Sequence, residues 1–236
     1  MFSKPSTSDF ESTLAIDTIV VPQGAEYQAV CRGLAKFNLA QLRLIKIPMG
    51  RKNMSQILTR YAPEFDEARK VLLLGLCGSL SQGYPVGDGV VVTSCQNLDR
   101  QQINLDVELT NKIKHKLSLK AVTGLTSDRI ITQAVEKQRL GQHYCASVVE
   151  MEGYGWATWL QQRGIAVAMV RVVSDDLKGD LPDLSRAVDH KGNLQPLPMT
   201  AAFLRQPQAA IRLIRGSLIG LNALSKITAK LFTESN

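Results

Sequence analysis

The sequence predicts an α/β fold, because short runs rich in Val and Ile alternate along the chain with segments of helical spacing. Residues 165–173 lack a regular alternation of apolar and polar side chains and are too few for a lone helix, which is typical of a parallel strand buried on both faces. Residues 14–21, 42–47 and 70–74 are further strand candidates, and residues 25–36 form a helix candidate with an apolar face. With 236 residues the chain is long enough for one large domain, which we place at residues 14–236.

The start of the chain and its cysteines predict a compartment. Residues 1–13 are polar and lack the apolar centre of a signal peptide, so we interpret them as a disordered leader. No apolar run in the sequence reaches the length of a membrane span. The four cysteines are widely spread and include no C-x-x-C pair, which indicates neither a metal site nor a disulfide framework. Reduced thiols are typical of a cytoplasmic protein.

The charge of the chain raises the question of an anionic partner, since the formal net charge is +7. Nucleic acid is not indicated, because no basic stretch is interleaved with aromatic residues and no zinc-ligand spacing occurs. Residues 200–232 predict one or two basic amphipathic helices broken near Pro207, with Ile211, Ile214 and Leu218 at helical spacing among Arg and Lys. This segment either covers the sheet with its apolar stripe or makes a peripheral contact with an anionic membrane surface.

Acidic residues stand at both ends of residues 148–176. Glu150 and Glu152 lie near the start, and Asp175 follows the predicted buried strand. In open α/β sheets the ligand lies outside the carboxyl ends of the strands, so Asp175 would stand at the edge of a site that Glu152 can enter. Two acidic side chains in different environments within one crevice are the smallest set of groups that acid-assisted cleavage of a glycosidic bond requires.

Four motifs carry a family resemblance. The order V-E-M-E-G at residues 149–153, followed by R-x-x-S-D at residues 171–175, resembles the signature of the purine nucleoside phosphorylase and uridine phosphorylase superfamily. G-L-C-G-S-L at residues 75–80 and V-G-D-G-V-V-V at residues 86–92 resemble its glycine segment. The nearest branch is that of the 5'-methylthioadenosine/S-adenosylhomocysteine nucleosidases. The resemblance implies a three-layer α/β/α fold around a mixed, partly barrel-like sheet, a homodimer or larger homo-oligomer, and no metal or organic cofactor.

The resemblance also implies roles for the residues of the acidic stretch. Asp175 protonates the departing purine at N7, with Ser174 beside it in the substrate site, and we expect burial and neighbouring carboxylates to keep Asp175 protonated. Glu152 accepts hydrogen bonds from the ribose hydroxyls and favours the positive charge that develops on the sugar, with Glu150 next to it. Met151 packs against the ribose.

The resemblance implies further site residues, some of which lie outside these four motifs. Glu26 would activate the attacking water, although an acid in the first turn of a helix is also favoured by the helix dipole alone. Gly75 and Gly78 let the backbone approach the ribose and its nucleophile closely. Ile130 stands where the nucleosidases carry an aromatic residue that stacks on adenine, and the backbone at Ile131 would read the purine edge.

The phosphate site of the phosphorylases is only partly represented. Leu76 stands where relatives carry Ser or Thr, and the arginine that phosphorylases keep just before Gly75 is absent. Arg51 and Arg129 are tentative phosphate ligands, with a solvated surface role as the alternative for Arg51 and a salt bridge to Asp128 or another carboxylate as the alternative for Arg129. Hydrolysis therefore stays open beside phosphorolysis, in which phosphate is a co-substrate.

The function that these observations predict is cleavage of the N-glycosidic bond of a purine nucleoside of the adenine type. Two alternatives remain. The loop before the basic C-terminal segment and that segment itself resemble the hopanoid-associated branch of the superfamily, which implies a phosphorylase acting on a lipid-linked nucleoside similar to adenosylhopane. A non-catalytic nucleoside-binding protein on the same scaffold is the other.

Overall fold

The computed structural model describes residues 14–37, 42–50, 54–184 and 196–233. The predicted leader at residues 1–13 and the tentative phosphate ligand Arg51 lie outside these residues. In chain order, the strands and helices are β1 (Thr18–Pro22), α1 (Ala25–Leu34), β2 (Arg43–Ile47), α2 (Met54–Tyr61), β3 (Lys70–Ser79), β4 (Gly89–Gln96), β5 (Gln102–Asn104), α3 (Val107–Leu117), β6 (Lys120–Thr126), α4 (Ala134–Tyr144), β7 (Val148–Glu150), α5 (Gly153–Gln161), β8 (Ala166–Asp175), α6 (Pro196–Arg205) and α7 (Pro207–Phe232).

All eight strands belong to one mixed sheet. The hydrogen-bonded order is β2-β1-β3-β7-β6-β4-β5, and β8 pairs with both β3 and β4. Strands β3, β7, β6, β4 and β8 therefore form a closed ring. The β3–β8 and β4–β6 pairs are parallel, whereas the β3–β7 and β4–β8 pairs are antiparallel. The predicted fold class, three layers around a mixed and partly barrel-like sheet, is confirmed.

Two apolar clusters pack on the two faces of the sheet. One contains Phe65, Trp156 and Trp159, whose rings meet at centroid distances of 5.5–6.0 Å, and it joins α2 and α5 to the strands. The other joins α1, α3 and α7 to the opposite face, around Val30, Ile113 and other buried residues. Strand β8 is buried continuously from residue 167 to residue 173, as its lack of alternation predicts, because both clusters use it.

Strand β3 is longer than the predicted strand at residues 70–74, since it continues through the glycine segment to Ser79. The parallel pairing with β8 shifts register near its end, so that Cys77 pairs with Val173 and Gly78 pairs with Asp175. A Cβ on Gly78 would lie 2.7 Å from Asp175 Oδ2. The register shift thus holds the Asp175 carboxyl over a backbone position that only glycine fits.

The C-terminal segment forms α6 and α7, with the break at Gln206 and Pro207. Helix α7 packs closely on the sheet because Gly216 lies against the Ser174 carbonyl oxygen. Its other side exposes apolar residues, among them Ile211, Ile214 and Leu218. No helix in the described part of the chain is long and apolar enough to cross a membrane.

Helices α1 and α7 approach each other at Gly33, where a larger residue has no room. A Cβ there would lie 2.5 Å from the Ser225 carbonyl oxygen and 2.7 Å from Thr228 Cβ. We expect Gly33→Ala to lower the free energy of unfolding by about 1–3 kcal/mol, because α7 must shift to admit the methyl group. Urea denaturation checks this. Gln28→Ala, at an exposed position of α1, should change the free energy of unfolding by less than about 0.5 kcal/mol. Equal effects of the two substitutions would contradict the close-packing argument.

Candidate active site

Glu26 lies in the first turn of α1, directly above strand β3. Its Oε1 accepts a hydrogen bond of 2.6 Å from the Leu76 backbone amide. A Cβ on Gly75 would lie 2.9 Å from the same oxygen and 3.4 Å from Arg171 Nη1, so the glycine makes room for both side chains. Burial of the carboxyl raises the pKa of Glu26 above its ordinary value, against the opposing effects of the Leu76 amide and of Arg171. A raised pKa suits a group that takes up a proton near neutral pH.

Glu150, at the end of β7, is held by groups of the chain itself. Its Oε2 pairs with Arg171 Nη2 at 2.8 Å and accepts hydrogen bonds from the Gly153 amide at 2.6 Å and the Glu152 amide at 3.1 Å. The Thr126 hydroxyl donates to Oε1. Both members of the ion pair are buried, with 2% and 3% of their side-chain areas exposed. Glu150 therefore anchors the start of α5 to the sheet.

Glu152 is buried beside this ion pair. Its Oε1 accepts a hydrogen bond of 2.6 Å from the Gly50 amide, which brings the segment after β2 over the site. Burial, followed by the negative charges of Glu150 and Glu26, raises the pKa of Glu152 to about 8. Glu152 is therefore largely protonated at neutral pH and can donate as well as accept a hydrogen bond. Met151 lies near the same loop, since its methyl carbon would be 3.5 Å from a Cβ on Gly50.

Asp175 lies at the carboxyl end of β8, and its partner is a cation. Its Oδ2 forms an ion pair with Lys137 Nζ, while the Ser174 hydroxyl lies 2.9 Å from its Oδ1 and 3.2 Å from the Cys77 carbonyl oxygen. The Lys137 side chain is 0% exposed and the Asp175 side chain is 13% exposed. From the sequence we expect carboxylates as the neighbours of Asp175, whereas the charged group that the structure places in contact with it is the ammonium of Lys137.

The remaining predicted residues divide between packing and surface. Ile131 is buried in a small apolar cluster with Leu80 and Leu125, and Ile130 is half-buried next to it. Arg129 forms an exposed two-contact ion pair with Glu136 of α4. The structure thus favours the salt-bridge alternative for Arg129 over the phosphate-ligand interpretation.

Sequence reasoning missed two residues that hold the acids in place. Arg171 belongs to the R-x-x-S-D motif, but nothing in its neighbours along the chain indicates that it pairs with Glu150. Lys137 lies in a polar stretch of α4, where a lysine is ordinarily exposed. Within the described residues, no group of three or more His, Cys, Asp or Glu side chains could hold a metal ion.

The space around the acids is narrow. A small cavity reaches Glu152 and Arg171, with Trp156 as part of its wall. A wide groove on the described surface instead runs along the outer side of α4, from Arg129 to Tyr144, and none of the four acids lines it. We assign the chemistry to the acids and not to the groove, since the groove brings together no comparable set of buried ionisable groups.

A comparison with known families shows to which family the chain belongs. Residues 18–195, more than half of the chain, match the family model of the phosphorylase superfamily. The chain belongs to the phosphorylase superfamily. The match includes all eight strands together with Glu26, Glu150, Glu152 and Asp175. The family resemblance that the motifs carry is therefore confirmed.

Individual superfamily members are more distant. Futalosine hydrolase of Thermus thermophilus is 28% identical over 149 residues, which cover 54% of this chain and 66% of that enzyme. The chain therefore spans just under two thirds of that relative's length. Among solved structures, 5'-methylthioadenosine/S-adenosylhomocysteine nucleosidase of Neisseria meningitidis in complex with methylthio-immucillin-A superposes with a TM-score of 0.66 at 18% identity, covering 92% of this chain and 98% of the other. Futalosine hydrolase of Helicobacter pylori superposes with a TM-score of 0.59 at 17% identity, covering 86% and 97%.

The buried ion pair gives a stability prediction. Arg171→Met should lower the free energy of unfolding by about 3–5 kcal/mol, because it leaves the Glu150 carboxylate buried without its cation. The double variant Arg171→Met/Glu150→Gln should recover part of this loss, since no uncompensated charge then remains. Urea unfolding of the two variants tests the pair, and a double variant less stable than the single one would contradict it.

The raised pKa of Glu152 gives a pH prediction. Its pKa is about 8 in the folded protein against an ordinary value of 4.5, so the folded state holds the proton more tightly than the unfolded state. The contribution of Glu152 to stability is full below the lower value and is lost as the pH rises through the higher one. Between about pH 5 and about pH 9, the wild-type protein should therefore lose more stability than Glu152→Gln does. Parallel curves of unfolding free energy against pH for the two proteins would refute the shift.

Proposed function

We propose that this chain cleaves the N-glycosidic bond of a purine-type nucleoside by hydrolysis. The observation that carries the proposal is the arrangement of three acids around one segment of β3. Glu26 lies against Gly75, Asp175 lies against Gly78, and Glu152 is close enough to Glu26 to feel its charge. The two glycines are about 10 Å apart along an extended strand. The acids thus flank a stretch of backbone that a substrate can approach closely.

Asp175 is the group we assign to the leaving base. A purine departs poorly as an anion, so a proton delivered to N7 during bond cleavage lowers the barrier. The position of Asp175 at the carboxyl end of a parallel strand, where ligands bind in open α/β sheets, supports this role. The Ser174 hydroxyl at 2.9 Å orients the carboxyl group. Gly78 leaves the space that this orientation requires.

Glu152 and Glu26 are assigned to the sugar and to the water. A protonated Glu152 can donate a hydrogen bond to a ribose hydroxyl, and once ionised it favours the positive charge that develops on the sugar. Met151 lies beside it and supplies an apolar contact for the ribose. Glu26 has a raised pKa, which makes it a better base near neutral pH than an exposed glutamate. We assign Glu26 to the attacking water.

Within the described residues, which leave out Arg51, the pairing of the cations supports hydrolysis over phosphorolysis. Arg129 pairs with Glu136, Arg171 pairs with Glu150, and Lys137 pairs with Asp175, so each of these cations already has a carboxylate partner. A phosphate would need a cation that is not already neutralised. The relative from Thermus thermophilus is a hydrolase by name, which supports the same assignment.

A bulky apolar group on the substrate is a second candidate, and helix α7 favours it. Gly220 of α7 lies against Leu76 and against the Ser174 backbone, so the helix borders the acids. Two positions earlier, Leu218 is exposed, and Ile211 and Ile214 continue the same apolar side. This exposed side of α7 faces away from the sheet, so it offers an apolar contact to a 5' substituent long enough to extend past the helix, as in a lipid-linked nucleoside. A homo-oligomer and a peripheral membrane contact through α7 both stay predictions.

Release of free base tests the proposal. We expect the wild-type protein to release base from at least one of futalosine, 5'-methylthioadenosine, adenosine and inosine, without phosphate. Asp175→Asn should lower the rate by about 10²–10⁴-fold, because the amide has no acidic proton to give. Glu26→Gln should also lower it, and Gln28→Ala, on the same helix but exposed, should leave it unchanged.

The other outcomes separate the alternatives. Strict dependence on phosphate would overturn hydrolysis and establish a phosphorylase. Full activity of Asp175→Asn would overturn the assignment of the acid. Tight nucleoside binding without release of base would indicate a binding protein, and release only from a substrate with a long apolar 5' group would establish the second candidate.

A further inference from the structure

Helix α4 buries a lysine where a helix ordinarily buries an apolar residue. Lys137 is the buried residue of α4, and its side chain is fully inaccessible. Gly141 follows one turn later on the same side of the helix and lies against the Leu80 carbonyl oxygen, so α4 approaches the sheet closely there. The close approach brings the Lys137 ammonium to Asp175 Oδ2. The inner side of α4 is therefore built around one ion pair.

Hydrogen bonds of the segment that follows Asp175 restrain the position of the Lys137–Asp175 pair. Asp175 lies on β8, and five residues later the Asp180 carboxylate accepts a hydrogen bond of 2.8 Å from the Ala134 amide at the start of α4. The Asp180 carbonyl oxygen accepts a second bond of 2.6 Å from Arg212 of α7. The segment after Asp175 thus holds the N-terminus of the helix that carries Lys137. These contacts restrain both members of the pair.

A buried ion pair gains little stability over apolar packing of the same volume, because both charges lose their hydration. Its presence at the candidate acid therefore needs a chemical reason. Asp175 is paired with the ammonium of Lys137, and a departing purine anion requires a proton. In the pair, the proton resides on nitrogen, one hydrogen bond away from the carboxyl group. In a buried pair the charged and the neutral forms lie closer in free energy than they do in water.

We propose that Lys137 is the proton reservoir for Asp175, an inference that rests on the proposed function. As the glycosidic bond breaks, an Nζ–H bond of Lys137 breaks and an O–H bond forms on Asp175. That O–H bond then breaks as the N7–H bond of the base forms, which leaves a neutral amine beside a carboxylate. After the base departs, the proton that Glu26 took from the attacking water passes through solvent to the Lys137 amine, which restores the ammonium. Lys137 acts through Asp175 and is a positioning residue.

A pair of substrates separates proton delivery from a structural role. In an N7-methylated purine nucleoside the base already carries a positive charge, so it leaves without needing a proton. Lys137→Met removes the charge and keeps the length of the side chain. We expect it to lower the rate of base release from the unmodified nucleoside by about 10²–10⁴-fold and to change the rate with the N7-methylated counterpart by less than about threefold. Asp175→Asn should show the same split, and the double variant should be no slower than the slower single variant.

Controls and contrary outcomes complete the design. Arg139→Met, at an exposed position of the same helix, should leave both rates unchanged. Should Lys137→Met not fold, Lys137→Gln keeps an N–H donor for Asp175 without an acidic proton, and the same split is expected. Equal losses with both substrates would overturn the reservoir role in favour of a structural one, and unchanged rates would also overturn it. Absence of base release from either substrate by the wild-type protein would overturn the proposed function itself.

Discussion

The ion pair between Glu150 and Arg171 is the contact on which the geometry of the site depends. Arg171 belongs to β8 and Glu150 ends β7, and the same carboxylate also holds the first amides of α5 and the hydroxyl of Thr126 on β6. Four elements therefore meet at one buried carboxylate. Burying two charges is costly unless their hydrogen bonds are satisfied, and here Glu150 uses both of its oxygens. Arg171 in turn approaches Glu26 at Gly75, so the α1 acid is placed relative to the same pair.

The acids of the site differ in their chemistry because each contacts a different group. Glu150 pairs with an arginine and Asp175 pairs with a lysine. Among the described residues, Glu152 accepts a hydrogen bond from a backbone amide alone. The negative charges of Glu150 and Glu26 then add to the burial of Glu152, which is why its pKa is the one raised to about 8. Similar side chains thus acquire separate chemical roles through position alone.

The sequence predicts those elements whose burial shows as a pattern among neighbouring residues. The continuous apolar run of β8 and the acid at its end are visible in the sequence because burial on both faces leaves a one-dimensional signal. The sequence does not predict the continuation of β3 through Gly75 and Gly78, since glycine lowers strand propensity and pairing with β8 and β7 compensates for it. The partners of Asp175 and Arg129 could not be predicted, because Lys137 and Glu136 reach their partners through the packing of α4, which leaves no periodic trace in a polar helix.

Helix α7 covers one face of the sheet, and the eight described strands all precede α7 in the chain. Its buried residues Leu224 and Leu231 pack with Val30 of α1 and with apolar residues of β3 and β8, all of which precede it in the chain. During synthesis from the N-terminus, the strands and the acids are therefore made while one side of the sheet still lacks the part of its cover that α7 supplies. Exposed apolar surface of this kind makes nascent chains prone to aggregation. The demand for chaperones should consequently be greatest in the interval between the emergence of β8 and that of α7, and it should fall when α7 docks.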